Sequence, residues 1–388
     1  MVRLSFSATM ISVGVMLMTI FFTQGFEKTI SDKVFSFFGH VRIQDYNTVP
    51  SSITEEIPIR RNDSVFQLKQ QFKQIRHIQA YATKNALLKT NQTFEGVLFK
   101  GVDKDYDFQH LSSFLVSGRW IQFQDSGYST EINLSETMAR QLQLKVNDPL
   151  LVFFIQPDGA APRPRKLTVV GIYKTGIEEY DKMLAIGDLS LIQKLNNWEP
   201  DEIGGYEIFL QNAEDMDVTS RAIVASLPLG LNSLTIKEVF PSIFDWLELQ
   251  HQTIYIVMII MIIIAILNLV TCLLILVLER VRMVGLLKAL GADNALIRKI
   301  FIYQGAFITS IGILCGDILG VGICLLQQKF GFITLPEESY YISKAAVFID
   351  PWQILWVNGI TFVICLVVLL LPSLVVQRIQ PVKTIQFR

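Results

Sequence analysis

The chain has 388 residues, of which 51% are hydrophobic and 18% charged, with a formal net charge of -1. A mean hydropathy of +0.40, with charged residues below the usual ~25%, fits a membrane protein that keeps a sizeable water-exposed part. The near-neutral balance offers no electrostatic basis for nucleic-acid binding. All four cysteines, Cys272, Cys315, Cys324 and Cys365, fall in apolar stretches, so the polar part has no disulfide framework.

The first apolar stretch runs from Leu4 to Thr23 behind Arg3. At about 20 residues it exceeds the roughly 7–15 of a secretory h-region. It ends in Gln24-Gly25-Phe26-Glu27 without an Ala-x-Ala cleavage pattern, which reads as a retained anchor. Phe26–Phe38 continues as an amphipathic helix with Ile30, Val34, Phe37 and Phe38 on its apolar face and Gly39 as its stop, the pattern of a stalk.

Residues 40–250 are long enough for a substantial core. Val41–Gln44 alternates as a strand. Asp63 or Ser64 can cap a helix carrying Val65, Phe66, Leu68, Phe72 and Ile75. Ile78–Thr90 and Phe94–Val102 form a strand pair around Asn91-Gln92. Leu115–Trp120 ends in a turn at Gly118-Arg119-Trp120, and Ser135 opens a short helix with Met138, Leu142 and Leu144. Asn147-Asp148-Pro149 is a turn before a strand at Leu150–Ile155, and Lys166–Tyr173 is a further strand. Ile192 and Leu195 mark a short helix, Tyr206–Leu210 a strand, Asp217–Leu227 a helix and Ser233–Lys237 a strand. The mixture is α+β.

Between two of these strands lies 156–165, with Pro157, Gly159, Pro162, Arg163, Pro164 and Arg165. Three prolines and a glycine disfavour regular ladder pairing there. The segment reads either as an ordinary long hairpin loop or as a stiff basic projection suited to a protein partner.

At Pro241 the chain turns back, and Ser242 with Asp245 can cap a helix that carries Trp246 as an interfacial aromatic. This second stalk leads into Ile254–Leu278, an uncharged stretch of about 25 residues that spans a bilayer with some tilt. The basic segment 279–300 follows, with a break at Gly291. Its apolar Val284, Leu286, Leu287 and Leu290 call for burial, while Lys288 stays wet, so it is either a structural interfacial helix or a docking element for a cytoplasmic motor. A third span, Phe301–Leu326, carries Gly312, Gly316 and Gly320 at every fourth position, a stripe that lets a neighbouring helix approach closely. Asp317 within it must face protein or water. A fourth span, Trp352–Leu371, lies between Pro351 and Pro372.

Loop 279–299 carries Arg280, Arg282, Lys288, Arg298 and Lys299, and the tail carries Arg378, Lys383 and Arg388. Loop 327–351 has only Lys329 and Lys344 against Glu337, Glu338 and Asp350. Positive-inside then places both termini and 279–299 in the cytoplasm, with 40–250 and 327–351 outside. The expected fold is α+β: four transmembrane helices with a large extracytoplasmic mixed α/β domain inserted between helices 1 and 2. Its parts are helix 1 at 1–25, the outer domain with stalks at 26–250, helix 2 at 251–278, the cytoplasmic segment at 279–300, helix 3 at 301–326, the outer loop at 327–351, helix 4 at 352–372 and the tail at 373–388.

No GxxxxGK[ST], HExxH or GxSxG motif occurs, and His40, His77, His110 and His251 have no ligand spacing, so an enzyme and a bound metal are not expected. One span, a large outer domain and three further spans resemble the FtsX/MacB-type ABC transporter permeases, and within them the lipoprotein-releasing LolC/LolE permeases. The likeness rests on Glu279-Arg280, Val284-Gly285 and Leu287-Lys288-Ala289-Leu290-Gly291-Ala292 after the second span. It rests also on Gly25-Phe26, Gly39-His40-Val41, Val169-Val170-Gly171-Ile172-Tyr173, Pro372-Ser373 and Pro381-Val382. The chain departs from the family at Met283, where many relatives have Glu.

The resemblance implies a permease subunit in the bacterial inner membrane, with its large domain periplasmic. It would work with a cytoplasmic ABC ATPase dimer that supplies ATP and Mg, and with a second permease subunit in a homo- or heterodimer. Arg282, Val284, Gly285, Leu287, Lys288, Leu290 and Gly291 would couple to the ATPase. In the family a protruding loop of the outer domain holds a periplasmic lipoprotein carrier, and 156–165 resembles it in place and character. Cargo would be a lipoprotein drawn from among membrane lipids. An FtsX-like regulator of a wall hydrolase, a MacB-like exporter and a membrane-anchored binding module are the other readings.

Overall fold

The computed structural model describes residues 2–50, 54–90, 93–125, 127–156 and 159–375. The chain divides into two compact units. One comprises Met1–Thr29, Trp246–Thr334 and Lys344–Arg388, the other Ile30–Asp245 and Leu335–Ser343.

Helix α1 (Val2–Phe38) opens the chain as one continuous element. It stops at Gly39, whose φ of +71° is left-handed and whose added Cβ would meet the Ile208 carbonyl oxygen at 3.1 Å. In the sheet unit there follow β1 (Val41–Asp45), β2 (Ile59–Arg60), α2 (Asp63–Gln71), β3 (Ile75–Lys89), β4 (Phe94–Val102), β5 (Leu115–Gly118), β6 (Glu131–Ser135) and α3 (Glu136–Gln141). Next come β7 (Pro149–Phe154), β8 (Arg163–Tyr173), α4 (Glu178–Met183), β9 (Leu184–Asp188), α5 (Leu189–Asn196), β10 (Glu202–Ile203), β11 (Gly205–Leu210), α6 (Met216–Val224), β12 (Leu231–Thr235) and α7 (Ile236–Val239).

Ten strands join in the order β12-β1-β11-β3-β4-β9-β6-β8-β5, with β7 bridging β3 and β8. The pairings of β3, β4, β9, β6, β8 and β7 therefore close on themselves. Most are antiparallel, while β4 runs parallel to β9 and β6 to β8. The first half of long β3 pairs instead with β11, which carries the sheet on to β1 and β12. The closure is narrow at one point, where β6 and β9 meet through the single pair Asn133 and Ile186. One face of the ring carries Phe99, Phe154, Val152 and Leu167, all fully buried.

Several sequence expectations shift. Asn62, one residue before Asp63, caps α2 by accepting from Ser64 N at 2.9 Å. Ile75 opens β3 and does not belong to the helix. β8 begins at Arg163, so Arg163, Pro164 and Arg165 pair with Phe154, Phe153 and Val152, against the expectation that the prolines would prevent a ladder. Pro164 is tolerated because β6 joins β8 only from Thr168 onward, which leaves this part of β8 with one neighbour.

In the helical unit α8 (Pro241–Glu279) is followed by α9 (Val281–Ala289), α10 (Asn294–Phe330) and α12 (Pro351–Val375); α11 (Glu337–Tyr340) belongs to the sheet unit. The third apolar stretch is thus part of a longer helix that starts at Asn294. Among the described residues, Phe6–Phe38, Pro241–Ile264 and Ala295–Phe330 are helical stretches long and apolar enough to cross a membrane, and Pro351–Val367 is a shorter apolar one. Val13, Met16, Leu17 and Phe21 of α1 are buried with Ile313 and Cys324 of α10 and Val357 of α12.

Candidate functional site

Three parts of the molecule carry features that packing alone does not require. The first is in the helical unit. Gly312, Gly316 and Gly320 of α10 face α1, where an added Cβ would meet Thr9 Cβ at 2.9 Å, Met10 O at 2.8 Å and Gly14 O at 2.9 Å respectively. Gly14 on α1 answers them, its own added Cβ reaching Gly316 O at 3.3 Å, so the two backbones touch. Beside this contact a cavity of about 350 Å³ opens between α1, α8 and α12. Met16, Ile20, Ile254, Met258 and Val357 give it apolar walls, and Thr23, Gln24, His251 and Gln353 make one end polar. At that end His251 Nδ1 lies 3.3 Å from Glu27 Oε2 and Nε2 lies 3.3 Å from Tyr255 Oη. Such a chamber, oily with a polar end, suits an amphiphile.

The second part is the segment after α8. Val284 is fully buried against Ile297 and Phe301 of α10, with Leu287 packed beside them. Gly285 is also buried, and Gly291 (φ +89°) turns the chain while Ala292 N donates to Leu287 O at 2.9 Å. These residues hold α9 onto α10. Leu286 and Leu290, 61% and 77% exposed, form the outward apolar face, with Arg282 exposed nearby in sequence and Lys288 half-buried. The residues of this segment thus split into an inner set and an outer set, and Leu286 joins the outer set although the motif does not single it out.

The third part is the sheet unit. In the loop, Gly159 and Pro162 are exposed, whereas Pro157 lies outside the described residues. Arg163 is not a free basic residue: its Nη1 donates to Leu195 O at 2.7 Å and lies 3.3 Å from Asn197 Oδ1, at the end of α5. Pro164 is exposed and Arg165 half-buried, its guanidinium donating to the Pro164 carbonyl.

Where α1 ends, the sheet buries charge. Register places Arg42, Glu207 and Gln79 in one row across β1, β11 and β3. From β4, the Lys100 ammonium donates to both Glu207 oxygens, at 2.7 and 2.8 Å, and to the Phe37 carbonyl of the last turn of α1. Lys100 and Glu207 are completely buried, and Arg42 lies 3.4 Å from Glu207. Burial pushes the Lys100 ammonium down to about 8, opposed by Glu207. A cation at a helix C-terminus also meets the negative end of the helix dipole. The charged Lys in the otherwise apolar run Val97-Leu98-Phe99-Lys100 was the available signal; its partner, over a hundred positions away, was not readable.

Three histidines surround the Phe209 ring at the same junction. His40 stacks on Phe35 at 4.4 Å and accepts from Leu210 N at 3.2 Å; His110 lies 3.1 Å from Ser36 O and 3.4 Å from Asp107; His77 lies 6.3 Å from Phe209. Burial lowers all three, His40 to about 4, with Arg76 adding to the effect on each. The unfolded chain takes up these protons near the ordinary value of ~6.5 and the folded chain does not. The stability these histidines contribute is therefore full above about pH 6.5 and falls as pH drops toward 4, with His40 alone contributing about 3 kcal/mol. Thermal melts from neutral pH to about pH 4.5 should show a steady fall, shallower in His40→Phe; equal slopes in the two proteins would remove His40 from the explanation.

The sheet unit also takes in 335–343. Lys174 Nζ meets Glu337 Oε2 at 2.7 Å, and Lys33 Nζ of α1 donates to Tyr341 O at 2.7 Å. Gly176 (φ +75°) lies under both, since an added Cβ there would collide with Lys33 Nζ and meet Glu337 Oε1 at 2.9 Å. Asp181 fixes that turn by accepting from Thr175 N and Gly176 N, at 2.9 and 3.0 Å.

The comparisons with known proteins agree with this arrangement. The MacB-like periplasmic core domain family matches residues 4–225, more than half the chain, and the FtsX-like permease C-terminal family matches 255–381. The chain belongs to the FtsX/MacB-type permeases. Within this permease family it is 23% identical to the lipoprotein-releasing system transmembrane protein LolE of Haemophilus influenzae, over 98% of this chain and 93% of the relative. It is 22% identical to the corresponding LolC of Xylella fastidiosa, over 97% and 91%. The solved periplasmic region of MacB from Actinobacillus actinomycetemcomitans aligns at 12% identity with a TM-score of 0.36, covering 53% of this chain and 92% of that one. For an FtsX/MacB-type permease, the mixed α/β sheet unit corresponds to the periplasmic-type domain and the apolar helices to the permease part.

Proposed function

We propose that this chain is the permease subunit of an ATP-driven transporter that extracts lipoproteins from the outer leaflet of the inner membrane and passes them to a periplasmic carrier. The observation that carries the reading is the apolar cavity with one polar end between α1, α8 and α12, in a chain similar along nearly its whole length to lipoprotein-releasing permeases.

In this reading α1, α8, α10 and α12 are four spans, the sheet unit is periplasmic, and both termini and α9 are cytoplasmic. The basic excess at 279–299 supports that orientation. A cytoplasmic ABC ATPase dimer, carrying the ATP and Mg, docks on Arg282, Leu286, Lys288 and Leu290. Val284, Gly285, Leu287 and Gly291 pass its closure into α10. A second permease subunit completes the pair. Helices α1 and α8 are each continuous from the span into the periplasmic part, so motion of the spans reaches the sheet. Each buried acyl CH₂ contributes roughly 0.8 kcal/mol to anchoring, so a cargo with several chains leaves unaided only very slowly. The loop at 159–162, with Arg165 beside it, receives the carrier.

The test is release of a triacylated lipoprotein to soluble carrier from bilayers holding the chain and its ATPase. ATP-dependent release is expected. Replacing 159–162 by a Gly/Ser turn, or Arg165→Ala, should cut transfer to the carrier while ATP hydrolysis continues. Arg163→Ala should chiefly lower the melting temperature, because it frees the end of α5. Absence of ATP-dependent release in the unmodified system would sink the proposal.

A further inference from the structure

Asp317 lies in the middle of α10, on the same helix as the glycine stripe, and the transport reading gives it no task. Its neighbour is Asn358 of α12, whose Nδ2 donates to Asp317 Oδ2 at 2.8 Å. At the other ends of the two groups the bonding is incomplete. Asp317 Oδ1 and Asn358 Oδ1 are both buried and both lack a hydrogen-bond partner. As an ionised group the carboxylate would hold one neutral donor, with no Lys, Arg or His within 4.0 Å of it among the described residues. The other titratable side chains described nearest to it along α10 and α12 are Cys315, Cys324 and Cys365, and α1 carries no charged side chain between Arg3 and Glu27. A carboxylate so placed in an apolar helix bundle is costly, and each orphaned buried acceptor adds its own desolvation penalty.

One proton removes both defects. A carboxyl and a carboxamide are planar groups of the same shape. When they share a hydrogen bond at one end, a proton on the free carboxyl oxygen can be donated to the free amide oxygen, which closes a ring of two hydrogen bonds. Asp317 Oδ1 then becomes a donor and Asn358 Oδ1 an acceptor, and neither is left unpaired. We propose that Asp317 binds a proton and, as the neutral acid, forms a two-bond acid–amide pair with Asn358 that locks α10 to α12. Release of the proton to water removes one of the two bonds, because the carboxylate cannot donate to the amide oxygen, and leaves Asn358 Nδ2 to Asp317 Oδ2 alone. The site is a proton-binding position in the helical unit, and it holds whatever cargo the protein moves.

The experiment is infrared difference spectroscopy of the full chain in phosphatidylcholine bilayers, unmodified protein minus Asp317→Asn. The asparagine can form the corresponding amide–amide pair, so the variant is expected to fold. The expected result is the carbonyl stretch of a protonated, hydrogen-bonded carboxyl at neutral pH, persisting from roughly pH 6 to 8, well above the ordinary range for Asp, and shifting to higher frequency in Asn358→Leu. Carboxylate bands in the difference spectrum at neutral pH would overturn the proposal, as would a carbonyl band that Asn358→Leu leaves unmoved. If Asp317→Asn fails to fold, the same reading comes from unmodified protein labelled with ¹³C-carboxyl aspartate, where a shifted protonated-acid band must be present at neutral pH.

Discussion

Replacing Glu207 by Ala lowers the stability of the sheet unit by about 3–5 kcal/mol, the range for removing one partner of a buried ion pair. The reason is the company it keeps. Glu207 is completely buried, takes two hydrogen bonds from the equally buried Lys100, and faces the buried Arg42 and Gln79. Without it two cations remain in the core with no carboxylate at bonding distance among the described residues. Lys100→Met should be milder, since Arg42 still offsets Glu207, and it also removes the donor to the Phe37 carbonyl. The double variant Lys100→Met with Glu207→Ala should therefore lose less than the two single losses combined, by more than about 1 kcal/mol. Chemical unfolding of the full chain, followed by near-ultraviolet circular dichroism, gives all three values. Simple additivity would show that the pair is not coupled.

Gly316→Leu should separate α1 from α10 and abolish lipoprotein release. The first atom of the new side chain would lie 2.8 Å from the Met10 carbonyl and 2.8 Å from Val13 Cβ. One of these is backbone and cannot swing aside, so the helices must part. Overpacking of this kind costs about 1–3 kcal/mol, and parting also undoes the contact of Gly14 with Gly320. Gly322, with nothing within 4 Å of an added Cβ, is the control: Gly322→Ala should melt and transport as the unmodified protein does. If Gly316→Leu melts at the unmodified temperature and still transports, the close approach is dispensable.

Local chemistry was legible in the sequence, and long-range pairing was not. The stop at Gly39, the cap at Ser135, the hairpin of β3 and β4 and the break at Gly291 each follow from residue types a few positions apart. β6 and β9 were missed: Glu131–Ser135 and Leu184–Asp188 are only five residues each and gain their place from neighbours far along the chain. The strand position of Pro164 was misread because the rule against proline in a ladder depends on how many neighbours a strand has. Of the site, the glycine stripe and the α9 motif could be read directly. The ion cluster at Lys100 could not, because Arg42, Lys100 and Glu207 meet only once four strands, β1, β11, β3 and β4, are in register.

The membership of 335–343 in the sheet unit changes what counts as that domain. Lys174 and Lys33 find Glu337 and Tyr341 on a stretch of chain that comes after α10, nearly a hundred positions beyond Asp245. A fragment cut at 30–245 would keep every strand yet take the Tyr341 carbonyl from Lys33 and leave Lys174 with only Glu136, at 3.8 Å. The piece that can stand for the domain in isolation is a splice, 30–245 with the short later stretch joined back on. Any protease that nicks 335–343 in the intact protein acts on the sheet unit as surely as one that cuts inside it.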